Sequence, residues 1–177
     1  MKLLRKKKGF SLLELLLVMA IIAALIVAAF IIYPKISSSA KVTNDIKVLS
    51  LLDAGIKGMY RGQAAYSGLT AKALIDANIA PNDLVDDGEI YDNFGALVLI
   101  DTYNNDSEYS IGFENVSTDA CAKFVSEAGS SFYKLVVDTT TVKDTDNNIE
   151  LDMSTLTSAC RYNTGSDVPV TVYFYNK

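Results

Sequence analysis

Histidine and tryptophan are missing from this 177-residue chain, and cysteine is confined to Cys121 and Cys160. Without histidine there is no His-based triad and no imidazole metal ligand. No Gly-rich phosphate loop occurs either. The nearest approach to a metal pattern is Asp144-Thr-Asp146-Asn-Asn148-Ile-Glu150, with oxygen ligands at alternate positions. It lacks the glycine that an EF-hand loop requires after its third ligand. No catalytic, cofactor-binding or metal residues are therefore expected, and the reading is of a non-enzyme.

Basic charge is scarce except at one end. Five of the 16 lysines and arginines (Lys2, Arg5, Lys6, Lys7, Lys8) precede Gly9, where there is no acid. Without them, 11 basic side chains face 21 acidic ones, a balance of −10. An acidic body stays soluble and has no general attraction to nucleic-acid phosphates, so no nucleic-acid partner is expected.

After the basic cluster the chain turns apolar. Leu15 to Tyr33 holds 19 uncharged, mainly apolar residues, about 28 Å of helix at the usual rise. That length spans a hydrocarbon core, with the positive end retained in the cytoplasm. An ordinary secretory signal has a shorter apolar region and a small-residue cleavage site beyond it. Only a weak match, Ser37–Ala40, stands in that place.

Glu14 lies at the head of this run. An acid inside an apolar span costs about 2.5–3.5 kcal/mol on insertion scales and marks function by default. One reading places it at the interface, where the cost is small. The other requires a cation within an apolar bundle. Cleavage after Gly9 creates one, the α-amino group of Phe10. A neighbouring subunit shifted along a common axis could present its amine to this carboxylate, and the pair would then set the register between subunits.

Lys8-Gly9-Phe10-Ser11-Leu12-Leu13-Glu14 followed by the long apolar run resembles the class III signal of type IV prepilins and related pseudopilins. The resemblance implies that a prepilin peptidase cuts after Gly9 on the cytoplasmic side and N-methylates Phe10, with Glu14 as the register acid. It further implies a homo-oligomeric helical filament, minor pilins and an inner-membrane assembly platform as partners. The location implied is the bacterial inner membrane for the precursor and an extracellular pilus for the mature form. The segment Tyr60–Thr70 and the widely spaced cysteines resemble type IVb pilins. The short leader and the Phe10 start are more similar to type IVa.

The helix is expected to run on past the membrane. Val42, Ile46, Leu49, Leu52, Ile56 and Tyr60 recur at spacings of three and four, one stripe of an amphipathic helix. Lys41, Asn44, Asp45, Lys47 and Asp53 are assigned to the remaining circumference. Pro34 removes a backbone hydrogen bond, so a kink or a stretch that melts during assembly is expected near residues 31–39. Gly55, Gly58 and Gly62 weaken the helix end and allow close backbone approach.

Beyond it, the sequence predicts a short helix over 70–78 capped by Thr70, then irregular chain over 82–93. Strands are predicted at 96–100, 108–113, 133–137, 149–153 and 170–175, with a helix over 117–128. The result is an α+β architecture, a long N-terminal helix packed on an antiparallel sheet. Its expected divisions are a leader (1–9), an apolar half-helix (10–33), an amphipathic half-helix (34–62) and a globular head (63–177). An even cysteine pair behind an export-type N-terminus reads as a disulfide, Cys121–Cys160. Two unrelated buried thiols are the alternative. A bridge would stabilise by about 3–4 kcal/mol in the loop-entropy account.

The function expected is a structural subunit of a type IV pilus serving adhesion, aggregation, motility or conjugation. The alternatives are a pseudopilin of a type II secretion system and a non-assembling, single-pass anchored binding protein.

Overall fold

The computed structural model describes residues 11–161 and 169–177, with side chains at all of these except 31–36. The chain divides into two compact units, Met1–Ser38 and Ser39–Lys177. The boundary between the units falls within the stretch 34–62.

The helix α1 spans Leu12–Met59. It begins where the Ser11 carbonyl accepts the Glu14 and Leu15 amides, at 3.0 and 3.2 Å. Helical conformation continues through residues 31–39, so no melted stretch exists there in the single subunit. In the second unit the expected stripe is the buried one. Val42, Leu49, Leu52 and Ile56 are each at most 1% exposed, with Ile46 and Tyr60 packed at the margin. Gly55 permits close approach, since a Cβ there would lie 2.2 Å from Ile79 Cγ2.

Asp45 departs from expectation. The sequence assigned it to the solvent side, yet it is 2% exposed. Position 45 stands three residues after Val42 and four before Leu49, so helical geometry places it on the apolar face.

The helix α2 (Ala71–Asp76) is capped by the Thr70 hydroxyl, which accepts the Ala73 amide. The stretch expected to be irregular instead holds a 3-10 turn and a small hairpin, β1 (Val85–Asp86) with β2 (Glu89–Ile90). Next comes a five-stranded sheet, made of β3 (Val98–Tyr103), β4 (Glu108–Val116), β5 (Lys134–Val137), β6 (Thr140–Asp144) and β7 (Val170–Asn176). The helices α3 (Thr118–Ala128) and α4 (Met153–Ala159) are placed between strands in the chain. Spatial order is β3-β4-β7-β5-β6, and every pairing is antiparallel.

The strand expected at 149–153 does not form. Ile149 makes a single bridge to Asp144, and the Asp152 carboxylate then accepts the Thr155 amide to start α4. An available N-cap outcompetes a short alternating segment. The strand β6 is an unexpected addition, and β3 lies two to three residues later than predicted.

Register sorts the two sheet faces by period-two alternation. Tyr109, Ile111 and Phe113 of β4 share the inner face with Val172 and Phe174 of β7 and with Leu135 and Val137 of β5. All are at most 1% exposed. Phe124 of α3 inserts among them, with ring centroids 4.9 Å from Phe113 and 5.1 Å from Phe174. On the outer face Gly112 leaves room for the Tyr173 ring, because a Cβ there would lie 2.8 Å from it.

Candidate functional site

Two regions carry the functional expectations. In the first unit, Leu12–Phe30 forms 19 helical residues with a mean hydropathy of 2.9 and none of that window buried. Leu12 is 76% and Phe30 77% exposed. A helix apolar on all sides and covered on none needs lipid or other helices as its solvent. Glu14 is in its first turn, exposed, at the N-terminal end. An acid at that end is favoured by the helix dipole. Gly9 and Phe10 lie outside the described residues. Pro34 lies within α1.

In the second unit, the head is fastened to α1 by two aspartates on that helix. The Asp53 carboxylate accepts the Tyr109 hydroxyl at 2.5 Å, the Asn176 amide at 2.9 Å and the Lys57 ammonium at 3.0 Å. It thereby joins α1 to the central strands β4 and β7. Burial pushes the Tyr109 phenol well above the ordinary tyrosine range, and donation to the Asp53 carboxylate adds to the rise. Asp45 Oδ1 accepts both the backbone amide of Asn93, at 2.8 Å, and its side-chain amide, at 2.7 Å.

Neither aspartate was singled out as functional from sequence. The available signal was position: both interrupt the apolar stripe of α1 rather than oppose it. A third clasp comes from the β3–β4 turn. Asn104, Asn105 and Asp106 all adopt left-handed backbone (φ 51°, 57° and 62°), which Asn and Asp tolerate best after glycine. The Asp106 carboxylate accepts the hydroxyls of Thr102 and Ser67, at 2.6 and 2.9 Å. That holds the turn against the loop after α1.

Cys121 of α3 and Cys160 at the end of α4 form a disulfide, 39 residues apart with Cα atoms 5.8 Å apart. Cys121 is fully buried and Cys160 2% exposed. The alternative of two unrelated thiols is thus closed. The residues of the calcium-like pattern serve local structure: Asp144 accepts the backbone amides of Asp146 and Asn147 and the Asn147 side-chain amide.

Comparison with known proteins agrees with this division. A family model described as PilS N terminal matches residues 38–173, which is close to the second compact unit. The prokaryotic N-terminal methylation motif matches residues 4–30. Two relatives, each named major structural subunit of bundle-forming pilus, come from Escherichia coli O127:H6 (strain E2348/69 / EPEC) and Escherichia coli O111:H-. Each is 30% identical over 112 residues, which are 61% of this chain and 58% of the relative. The match therefore spans little more than half the length of those relatives. The crystal structure of TcpA, a type IV pilin from Vibrio cholerae El Tor biotype, superimposes with a TM-score of 0.62 at 15% identity. That likeness covers 78% of this chain and 99% of TcpA, and it is a likeness of fold.

Proposed function

The chain belongs to the type IV pilin family whose domain is described as PilS N terminal, and from that premise we propose that it is a structural subunit polymerised into an extracellular pilus. The observation that carries the proposal is the uncovered apolar helix Leu12–Phe30 with an acid in its first turn, in the same chain as a folded, disulfide-bonded head. A head that binds on its own needs only an anchor. A helix with Glu14 inside its apolar stretch offers in addition a polar group that specifies register.

In this reading residues 1–9 are a leader removed after Gly9 by a prepilin peptidase, and Phe10 is the N-methylated first residue. The precursor is held in the inner membrane by residues 10–33. In the filament the apolar helices replace lipid with one another, and Glu14 of one subunit pairs with the Phe10 amine of the next. Local opening of α1 in the filament is assigned to Pro34, which has no backbone amide to donate to the helix. Minor pilins and an inner-membrane platform would serve assembly. The role is structural rather than enzymatic, and the curated relatives named as pilus subunits support it.

Intact mass and N-terminal peptide mapping of protein sheared from the cell surface test the reading. A chain beginning at N-methyl-Phe10 in filaments is expected. A chain still beginning at Met1, or one abundant in membranes and missing from the surface, would replace the pilin with a simple anchored protein.

A further inference from the structure

Two carboxylates are buried where α1 meets the loop leading into β3. Asp45 is 2% and Asp92 3% exposed. Asp45 Oδ1 accepts the backbone and side-chain amides of Asn93. Asp92 Oδ1 accepts the backbone amides of Phe94 and Ala96, both at 2.8 Å. Asp92 Oδ2 is buried with no hydrogen-bond partner among the described residues. An ionised carboxylate oxygen in that state carries an uncompensated desolvation cost.

We propose that the segment Asp92–Ala96 is a proton-responsive clasp on α1, closed when Asp45 or Asp92 carries a proton and loosened when both are ionised. The charged groups that act on Asp45 are Asp92 from the loop and Lys41 from the preceding turn of α1. Lys41 also acts on Asp92. Its ammonium lies over the Phe94 ring, 5.2 Å from the centroid. Asp83 and Asp86 border the same surface hollow as Asp92 and add no positive charge. One lysine therefore faces two buried acids.

Burial pushes the Asp45 carboxyl up to about 6; the Asn93 hydrogen bonds and Lys41 oppose the rise, and Asp92 adds to it. Burial raises Asp92 as well, against hydrogen bonds from Ala96, Phe94 and Gly95 and the attraction of Lys41. Linkage fixes the sign. An aspartate in the open state titrates near 3.9, so the closed clasp takes up its proton first as pH falls. Closure therefore strengthens with acidification between about pH 6 and pH 4 and is flat well above that window. The loosened state requires water at the carboxylates, which relieves the desolvation cost.

Hydrogen exchange of the amides of residues 92–96, corrected for intrinsic pH dependence, tests this on the full chain in detergent micelles. Protection should rise about tenfold between pH 7 and pH 5, the change expected for one carboxyl shifted as Asp45 is. Asp45→Asn should shrink the response, and Asp45→Asn with Asp92→Asn should remove it. Asp101→Asn, at an exposed acid on β3, should leave it intact. A flat wild-type profile, an undiminished response in the double variant, or equal loss in Asp101→Asn would overturn the proposal.

Discussion

The hydroxyl of Tyr109, on the inner face of β4, donates to the Asp53 carboxylate of α1 across 56 residues of sequence, at 2.5 Å. Tyr109 has no exposed surface, and its ring also meets Tyr66 edge-on with centroids 4.7 Å apart. The bond runs to a carboxylate and is partly buried, with the Asp53 side chain 14% exposed. Tyr109→Phe keeps the ring contacts and deletes the bond. It should destabilise the head by about 1–3 kcal/mol, read as a lower urea midpoint at unchanged slope.

The disulfide ties α3 to the end of α4. The double variant Cys121→Ser with Cys160→Ser should lose about 3–4 kcal/mol in the loop-entropy account. Thermal melting with and without a reductant checks this. Reductant should lower the wild-type midpoint towards that of the variant and leave the variant unmoved.

Glu14 carries the assembly proposal. Glu14→Ala should leave the head's melting temperature unchanged, since that residue lies in the other compact unit. Filament recovered by shearing should fall to background. Filaments at wild-type yield would show that register is set elsewhere.

Gly112 has no room for a side chain, because an added Cβ meets the Tyr173 ring at 2.8 Å and Leu99 Cβ at 3.2 Å. Gly112→Ala should cost about 1–3 kcal/mol through overpacking. Gly58→Ala, where an added Cβ would meet no atom within 4 Å outside the local helix backbone, should be neutral or slightly stabilising through helix propensity. The pair of melts distinguishes steric conflict from a general effect of losing glycine.

Much of this fold was legible where a long period or a strong cap fixes the answer. The α1 stripe from Val42 to Ile56 and the strands around Ile111 and Phe174 follow from spacing, and the Thr70 cap from residue type. The stretch 138–160 did not yield in the same way. There Thr140–Asp144 is a strand with a register shift opposite Leu135 and Val136, and a bulge breaks the alternation that strand reading depends on. Ile149–Met153 alternates apolar and acidic residues as a strand does, but Asp152 caps a helix instead, so a local side-chain bond decides against the pattern. Asp45 shows a different limit. Charge suggested the solvent side, whereas its position on the helix indicated burial, and the helical position prevailed because Asn93 supplies two donors.

Strand order has a consequence for biosynthesis. The last strand in the described sequence, β7, lies in the middle of the sheet, between β4 and β5. A ribosome that stops before Val170 leaves the β3–β4 and β5–β6 hairpins without the strand that joins them, each with an open inner edge. Such edges template pairing with other strands. The head therefore closes only once Val170–Asn176 has been translated, and any product that stops short of it exposes unpaired backbone on both hairpins.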